Sequence, residues 1–432
     1  MGQLGIVGGE ILHPDGTVAP GDVVVDTDSG TIERIDEHGS MDSAEDTLDA
    51  GGCLVIPGLV NAHTHVAMTL LRGHADDKPL ISWLEEDIFP VEAALTPDEI
   101  AAGARLGMLE MIKGGTTTFC DMYFHEGSIA DAAVESGLRC LLGHGILTLG
   151  KDTDGIEDEL QTASSFVTDH DGRGDGRITT ALMPHAVRTV DPETLERVAE
   201  LADRLAVPIH LHCSESREDV AAVLDRDGRR PVETAAETGV LDRPSFIAHG
   251  VQLDNTDLDR LAATNTGIAH CPTANLKLAS GIAPIVAAID RGVPVGIGTD
   301  GPASNNDLDM LEELRLAALL AKVDSGDASA LAAPLAIELA TAGGAAMLGF
   351  SSGRLEPGAP ADIAVIDLDA PHFTPAHDLI SHLVYVASRG DVRHTVCDGT
   401  VLMREREVLT LDESAVRDAA SQAASVAIDR AG

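Results

Sequence analysis

The feature that most limits the fold of this chain is an alternation running from residue 54 to residue 299. Short apolar or small-residue runs lie at 54–60, 116–121, 139–146, 178–184, 207–213, 245–249, 267–271 and 294–299. Continuous runs of this kind are what strands covered on both faces require. Between them lie stretches with helical spacing, among them Thr96 to Lys113, Pro192 to Leu205 and Pro231 to Thr238. Eight such units fit an α/β fold of the (β/α)8 TIM-barrel kind over residues 57–355. A doubly wound open sheet uses the same alternation, and counting strands does not separate the two.

The two ends of the chain have a different texture. Gly21 to Asp26 and Thr31 to Ile35 flank the turn Thr27-Asp28-Ser29-Gly30, which is a hairpin pattern. After about residue 355 short strands return at Asp362 to Asp367, Val392 to Asp398 and Thr400 to Met403. The similarity predicts that residues 1–56 and 356–410 pair into one small β-sandwich domain built from both ends. Residues 411–432 contain the Ala-rich stretch Ser414 to Arg430, which predicts a C-terminal helix.

Charge narrows the function classes. The 432 residues carry 71 Asp+Glu against 29 Lys+Arg, a formal net charge of −42. The lysines are only Lys78, Lys113, Lys151, Lys277 and Lys322. Such a surface repels nucleic acid and anionic membranes. A hydrophobic content of 44% argues for a folded core rather than disorder. Together these predict a halophilic protein of a very salty cytoplasm, where screening relieves the self-repulsion. The N-terminus has no basic residues leading into an apolar stretch, and no apolar run is long enough for a bilayer, so the expected location is cytoplasmic. Cys53, Cys120, Cys140, Cys213, Cys271 and Cys397 form no C-x-x-C pair and read as reduced core residues.

Polar residues gather at the C-terminal ends of the apolar runs, where a parallel barrel assembles its active site. The first run leads into Asn61-Ala62-His63-Thr64-His65. In an extended strand residues i and i+2 point the same way, so His63 and His65 project side by side, as two ligands of one metal must. His-x-His alone is a weak motif. The fourth run ends in Pro184-His185, the fifth in His210-Leu211-His212-Cys213-Ser214-Glu215, the sixth in His249-Gly250 and the eighth in Thr299-Asp300-Gly301. One histidine on an apolar strand is ordinarily a hydrogen-bonded core residue. Recurrence at four or five ends of one barrel points to a site. Gly296 to Gly301 also matches G-x-G-x-x-G, but Pro302 and Asn305-Asn306 extend the loop where a helix should open, and Asp300 stands where a pyrophosphate should bind.

These motifs, taken in order, resemble the amidohydrolase superfamily: Pro57-Gly58-Leu59-Val60-Asn61-Ala62-His63-Thr64-His65, then His212, His249 and Asp300, then Gly353 to Asp367. Three stretches are most similar to the 5-methylthioadenosine/S-adenosylhomocysteine deaminase family. They are Trp83-Leu84 with Pro90-Val91-Glu92, Asn275 to Pro284, and Gly298-Thr299-Asp300-Gly301 running on to Leu308.

The resemblance implies that His63, His65, His212 and Asp300 bind one divalent metal, Zn²⁺ or alternatively Fe²⁺, since strand four offers His185 and no lysine to bridge a second. It implies hydrolytic deamination of an adenosine-type nucleoside at purine C6. Asp300 accepts a water proton, His249 holds the nucleophile and Glu215 protonates N1. Glu215 has an alternative reading as a first-turn acid or N-cap of the next helix. Glu92 falls where the family contacts ribose hydroxyls, with His185, Trp83, His249 and Glu215 near the substrate. The family's His-Ser-Pro-Tyr-Thr is here His185-Ala186-Val187-Arg188-Thr189, and Thr148 to Ile156 holds Lys151 but no arginine. Arg188 therefore reads either as a substrate carboxylate contact or as the partner of a surface acid. Methylthioadenosine, S-adenosylhomocysteine, 5′-deoxyadenosine and adenosine all stay open as substrates. The implied assembly is a homodimer or homotetramer with no nucleic-acid or membrane partner. Other readings are another mononuclear amidohydrolase, namely a guanine- or cytosine-type deaminase or an s-triazine chlorohydrolase, and a non-catalytic assembly subunit.

Overall fold

The computed structural model describes residues 2–39 and 46–431. Parts of the expected end segments, at 1, 40–45 and 432, lie outside the described residues. The centre of the chain forms a curled, all-parallel sheet of the barrel type. Its strands are Leu59–Thr64, Thr116–Tyr123, Arg139–Ile146, the broken pair Ile178–Thr180 and Met183–Pro184, Ile209–Cys213, Ser245–His249, Gly267–His270 and Val295–Ile297. Neighbours pair in sequence order within two arcs. The arcs are joined where His210 N donates to Leu182 O at 3.0 Å and His212 N to His185 O at 3.0 Å. The far edges meet where Asp300 N donates to His63 O at 2.9 Å.

Helices separate the strands, and several start on a residue whose side chain caps them. Thr96 opens Pro97–Lys113 with a capping box to Glu99, Asp191 opens Pro192–Leu205, and Ser216 opens Arg217–Asp227. Their apolar faces and the outer faces of the strands form the main core. A second cluster, including Val60, Cys120, Leu141, Met183, Phe246 and Ala269, is shared among the strands themselves.

Both chain ends join one nine-stranded sheet, with Cys53–Pro57 at its middle. On one side lie Gln3–Leu12, with Asp46–Asp49 also paired to it, Val18–Asp26 and Thr31–Glu37; on the other lie Ile363–Asp367, Val392–Cys397, Thr400–Arg404 and Glu407–Val408. The hydrogen-bonded order runs without a break from edge to edge, and the sheet carries its own apolar cluster of Leu4, Ile11, Val23, Val55, Ile363 and Val396 among others. One sequence expectation needs correcting here. The run 54–60 is not one strand: Cys53–Pro57 belongs to the end-derived sheet and Leu59–Thr64 to the curled sheet. The chain changes sheets at Gly58, where any Cβ would fall 2.2 Å from Thr117 Oγ1, so only glycine passes.

A buried ion pair ties the two sheets together. Arg139 Nε, at the start of its strand, lies 3.0 Å from Asp362 Oδ2, and its Nη2 lies 2.9 Å from Asp398 Oδ1. The Asp362 side chain is fully buried. The terminal helix Glu413–Ala431 packs on Pro97–Lys113 and pairs through Lys113 with Glu413 and Arg430 with Glu99. All six cysteines are buried and unpaired. Among the described residues no helix is long and apolar enough to cross a membrane.

Removing one member of a buried pair strands the other charge. Arg139→Met is therefore expected to cost about 3–5 kcal/mol of unfolding free energy, measured by urea titration at constant high salt. A loss below 1 kcal/mol, about the value of an exposed pair, would show that the contact does not join the sheets.

Candidate active site

The strand ends deliver their polar side chains to one place. His63 is the penultimate residue of Leu59–Thr64, His65 follows that strand, and His212 is penultimate in Ile209–Cys213. His249 closes Ser245–His249, and Asp300 lies three residues beyond Val295–Ile297. His249 and Asp300 hold left-handed backbone, φ 69° and 63°, which non-glycine residues adopt rarely and at a cost. The close approach that brings Asp300 to the histidines passes through Gly298, where a Cβ would sit 2.8 Å from His63 N. The glycine pattern at 296–301 thus serves packing between the first and last strands.

His65 Nε2 is 3.2 Å from His212 Nε2 and 3.3 Å from Asp300 Oδ1, while His63 Nε2 is 3.4 Å from that same oxygen. Four ligands at 2.0–2.1 Å around a tetrahedral cation stand roughly 3.3–3.4 Å apart, so the spacing matches such a shell. The ligand atoms of His63, His212, His249 and Asp300 also fall within 4.8 Å of one another. The three separations found among His63, His65, His212 and Asp300 are shorter than that limit.

Hydrogen bonds on the outer ring nitrogens fix the tautomers. His65 Nδ1 donates to Met122 O at 2.6 Å, His212 Nδ1 to His185 O at 2.5 Å, and His249 Nδ1 to Asn275 Oδ1 at 3.0 Å. For His63 the chain has one more link. His210 Nδ1 faces Phe246 O at 3.1 Å and carries the proton there, so His210 Nε2 accepts from His63 Nδ1 at 2.8 Å. Every inner Nε2 is left with a lone pair, and His63 Nε2 is buried without a hydrogen-bond partner. Lone pairs converging on one another and on a carboxylate oxygen are repulsive unless a cation stands between them. The donor set therefore fits a divalent metal.

Electrostatics agree. Burial pushes His63 down to about 4 and lowers His65 and His212 as well, so the imidazoles are neutral. Burial alone would raise Asp300, but the histidines gathered around it, His63, His249 and His65, outweigh it and hold the carboxylate ionised. Ser304 Oγ donates to Asp300 Oδ2 at 2.6 Å and keeps the other oxygen turned inward.

A cleft opens over this cluster. Glu215 stands on its wall, with Oε2 3.9 Å from His249 Nε2, and burial pushes its carboxyl up to about 7. Its alternative reading as a helix cap is overturned. Ser216 accepts from Asp219 N, Glu218 and Asp219 are the first-turn acids, and Glu215 precedes the helix. Glu92, Trp83, His185 and Arg188 line the same cleft. Burial pushes Glu92 up to about 7, against the opposing effect of the nearby Tyr123 hydroxyl. His185 Nδ1 pairs with Thr189 Oγ1 at 2.8 Å, and Arg188 Nη2 stands 3.4 Å from Glu85 Oε1.

Sequence reasoning did not single out His210, Asn275 or Tyr123 as site residues. For His210 a signal existed: it alternates with His212 as His63 does with His65, and so shares a strand face. The partners of Asn275 and Tyr123 come from remote segments and left no local sign.

Two measurements test this geometry. Chelation is expected to lower the unfolding midpoint of purified protein, and a divalent cation to restore it, because the cation binds only the folded arrangement. His210→Leu is expected to weaken cation affinity by about 10–100-fold in chelator competition, whereas His210→Gln, whose amide oxygen still accepts from His63, retains most of it. Equal affinities for both variants and the parent would remove His210 from the relay.

Comparison with known proteins gives the same picture over the whole chain. A 5-methylthioadenosine/S-adenosylhomocysteine deaminase of Haloarcula marismortui is 54% identical over 432 residues, covering 100% of each chain. A 5′-deoxyadenosine deaminase of Methanothermobacter thermautotrophicus is 43% identical over 420 residues, covering 97% of each. The crystal structure of an adenosine deaminase from Xanthomonas campestris with bound zinc superposes with a TM-score of 0.93 at 37% identity, covering 98% of each chain. Residues 54–402 match the amidohydrolase family, and the chain belongs to that family.

Proposed function

We propose that this protein is a metal-dependent hydrolytic deaminase that replaces the C6 amine of adenosine-type nucleosides by oxygen and releases ammonia. The observation that carries the reading is the convergence of His63, His65, His212 and Asp300 beneath a cleft walled by Glu215 and His249. Full-length relatives named as deaminases of methylthioadenosine, S-adenosylhomocysteine and 5′-deoxyadenosine support the substrate class. In this reading those four residues hold one divalent cation. Zinc is favoured by the nitrogen-rich donor set and by the zinc in the related structure. The central sheet is a closed (β/α)8 barrel at 57–355, and 1–56 with 356–410 form a small sandwich around its own core, followed by the helix of 411–432. Dimeric or tetrameric assembly completes the expectation.

When bound, the cation lowers the pKa of water towards neutrality. The remaining chemistry belongs to the side chains. Asp300 takes one proton from the attacking water, and His249, fixed by Asn275, orients that water with Nε2. Attack at C6 pushes electrons onto N1, and Glu215, protonated in large part at neutral pH, gives N1 its proton. The ionised Glu215 then accepts the hydroxyl proton from the tetrahedral C6 centre and passes it to the departing amine. The C6–N bond breaks, the C6 carbonyl forms, and the proton held by Asp300 restores Glu215. Glu92 has a buried oxygen, Oε1, without a hydrogen-bond partner, which suits a carboxylate accepting from ribose hydroxyls. Trp83 and His185 supply apolar and polar contacts to the base and sugar from the cleft wall, and Arg188 stands near the 5′ substituent.

Glu215→Gln is expected to lower kcat by about 10²–10⁴-fold with metal content unchanged, followed by ammonia release and metal analysis on one preparation. Near-full turnover in the metal-loaded variant would remove Glu215 from proton transfer.

A further inference from the structure

We infer that the ion pair between Arg188 and Glu85 makes this cleft favour adenosine substrates with uncharged 5′ substituents over those whose 5′ tail ends in a free carboxylate. The inference rests on the deaminase reading above and adds the residues that sort its substrates.

Among the described residues that line the cleft, Arg188 is the only lysine or arginine, and it faces four carboxyl groups: Glu92, Glu215, Asp219 and Asp300. Its positive charge is already engaged. The side chain is 16% exposed, with Nη2 3.4 Å from Glu85 Oε1, and Asp219, largely buried, shares the same wall.

A tail carboxylate arriving there must displace Glu85 and then stand near Asp219 on the same wall, so its gain from Arg188 is offset by the lost pair and by repulsion. Like charges brought together in a partly desolvated site are a strong means of rejecting a ligand. An apolar tail meets no such cost. The segment that carries Glu85 runs through Leu80–Trp83, Leu84–Ile88 and Phe89–Glu92 as successive helical turns, and it gives Leu80, Ile81, Leu84 and Phe89 to the wall. A methylthio group loses water against those side chains and leaves the Arg188–Glu85 pair in place. Glu85 thus acts as a positioning residue for selectivity, through Arg188 and without touching the reacting atoms.

The test is kcat/KM for 5′-methylthioadenosine and for S-adenosylhomocysteine on metal-loaded protein at one fixed high salt concentration. Wild type is expected to favour methylthioadenosine by at least about tenfold. Glu85→Gln frees Arg188 and is expected to narrow that ratio about fivefold, chiefly through a lower KM for S-adenosylhomocysteine. Arg188→Met removes the cation and should widen the ratio instead; circular dichroism and metal content report folding in each variant. Equal use of both substrates by wild type, or a ratio indifferent to Glu85→Gln, overturns the proposal while leaving the deaminase reading intact. Failure of the metal-loaded wild type to deaminate either nucleoside overturns both.

Discussion

Imidazole lone pairs and a carboxylate oxygen, held 3.2–3.4 Å apart in a buried site, are the arrangement on which the rest of the structure depends. Left alone, such groups would rotate to hydrogen-bond one another or take up protons. They do neither, because each outer ring nitrogen already has a partner: Met122 O for His65, His185 O for His212 and the His210 ring for His63. Two of those partners are backbone oxygens in or just after an adjacent strand, and the third is a side chain of Ile209–Cys213, a strand that does not pair with that of His63. The register of the curled sheet therefore sets the orientation of the histidines, and the left-handed turns at His249 and Asp300 direct the last two groups inward. Strain and repulsion of this kind persist only where surrounding structure over-determines them.

The same burial that keeps the imidazoles neutral divides the carboxyl groups into two kinds. Asp300 sits against histidines and stays ionised, whereas Glu215 and Glu92, further along the cleft, are each pushed up to about 7. One site thus holds an acceptor and a donor of protons at the same pH, which is what addition of water to a purine ring and expulsion of an amine demand. In a chain of net charge −42 the few cations are placed with care: Arg139 between the two sheets, and Arg188 in the cleft wall facing Glu85.

Much of the fold was legible because strands buried on both faces leave continuous apolar runs, and because Thr96, Asp191 and Ser216 mark helix starts by side-chain chemistry. The run 54–60 misled because apolarity reports burial and not which sheet does the burying; Gly58, where the chain crosses between sheets, looks like any other glycine in the sequence. The glycine pattern at 296–301 matched a phosphate-binding loop and was set aside only on its flanking residues, since close strand packing and phosphate binding ask for the same missing Cβ. Glu215 lay one residue before a helix cap, and only the observed Ser216 cap separated the two readings of it.

The sequence by itself determined which residues could form a site. Histidines at alternate positions on a strand must share a face, and polar residues ending apolar runs must emerge at one end of a parallel sheet. It also carried the order of motifs that marks the amidohydrolase family. Only the tertiary structure decided the distances, the tautomers and the partners. His210 reaches His63 across 147 residues of sequence, Asn275 reaches His249 from the short helix Pro272–Lys277, and Glu85 meets Arg188 across 103 residues. Those contacts depend on how far a sheet curls before its edges meet, which is a property of packing summed over the whole chain and is written in no local stretch of it.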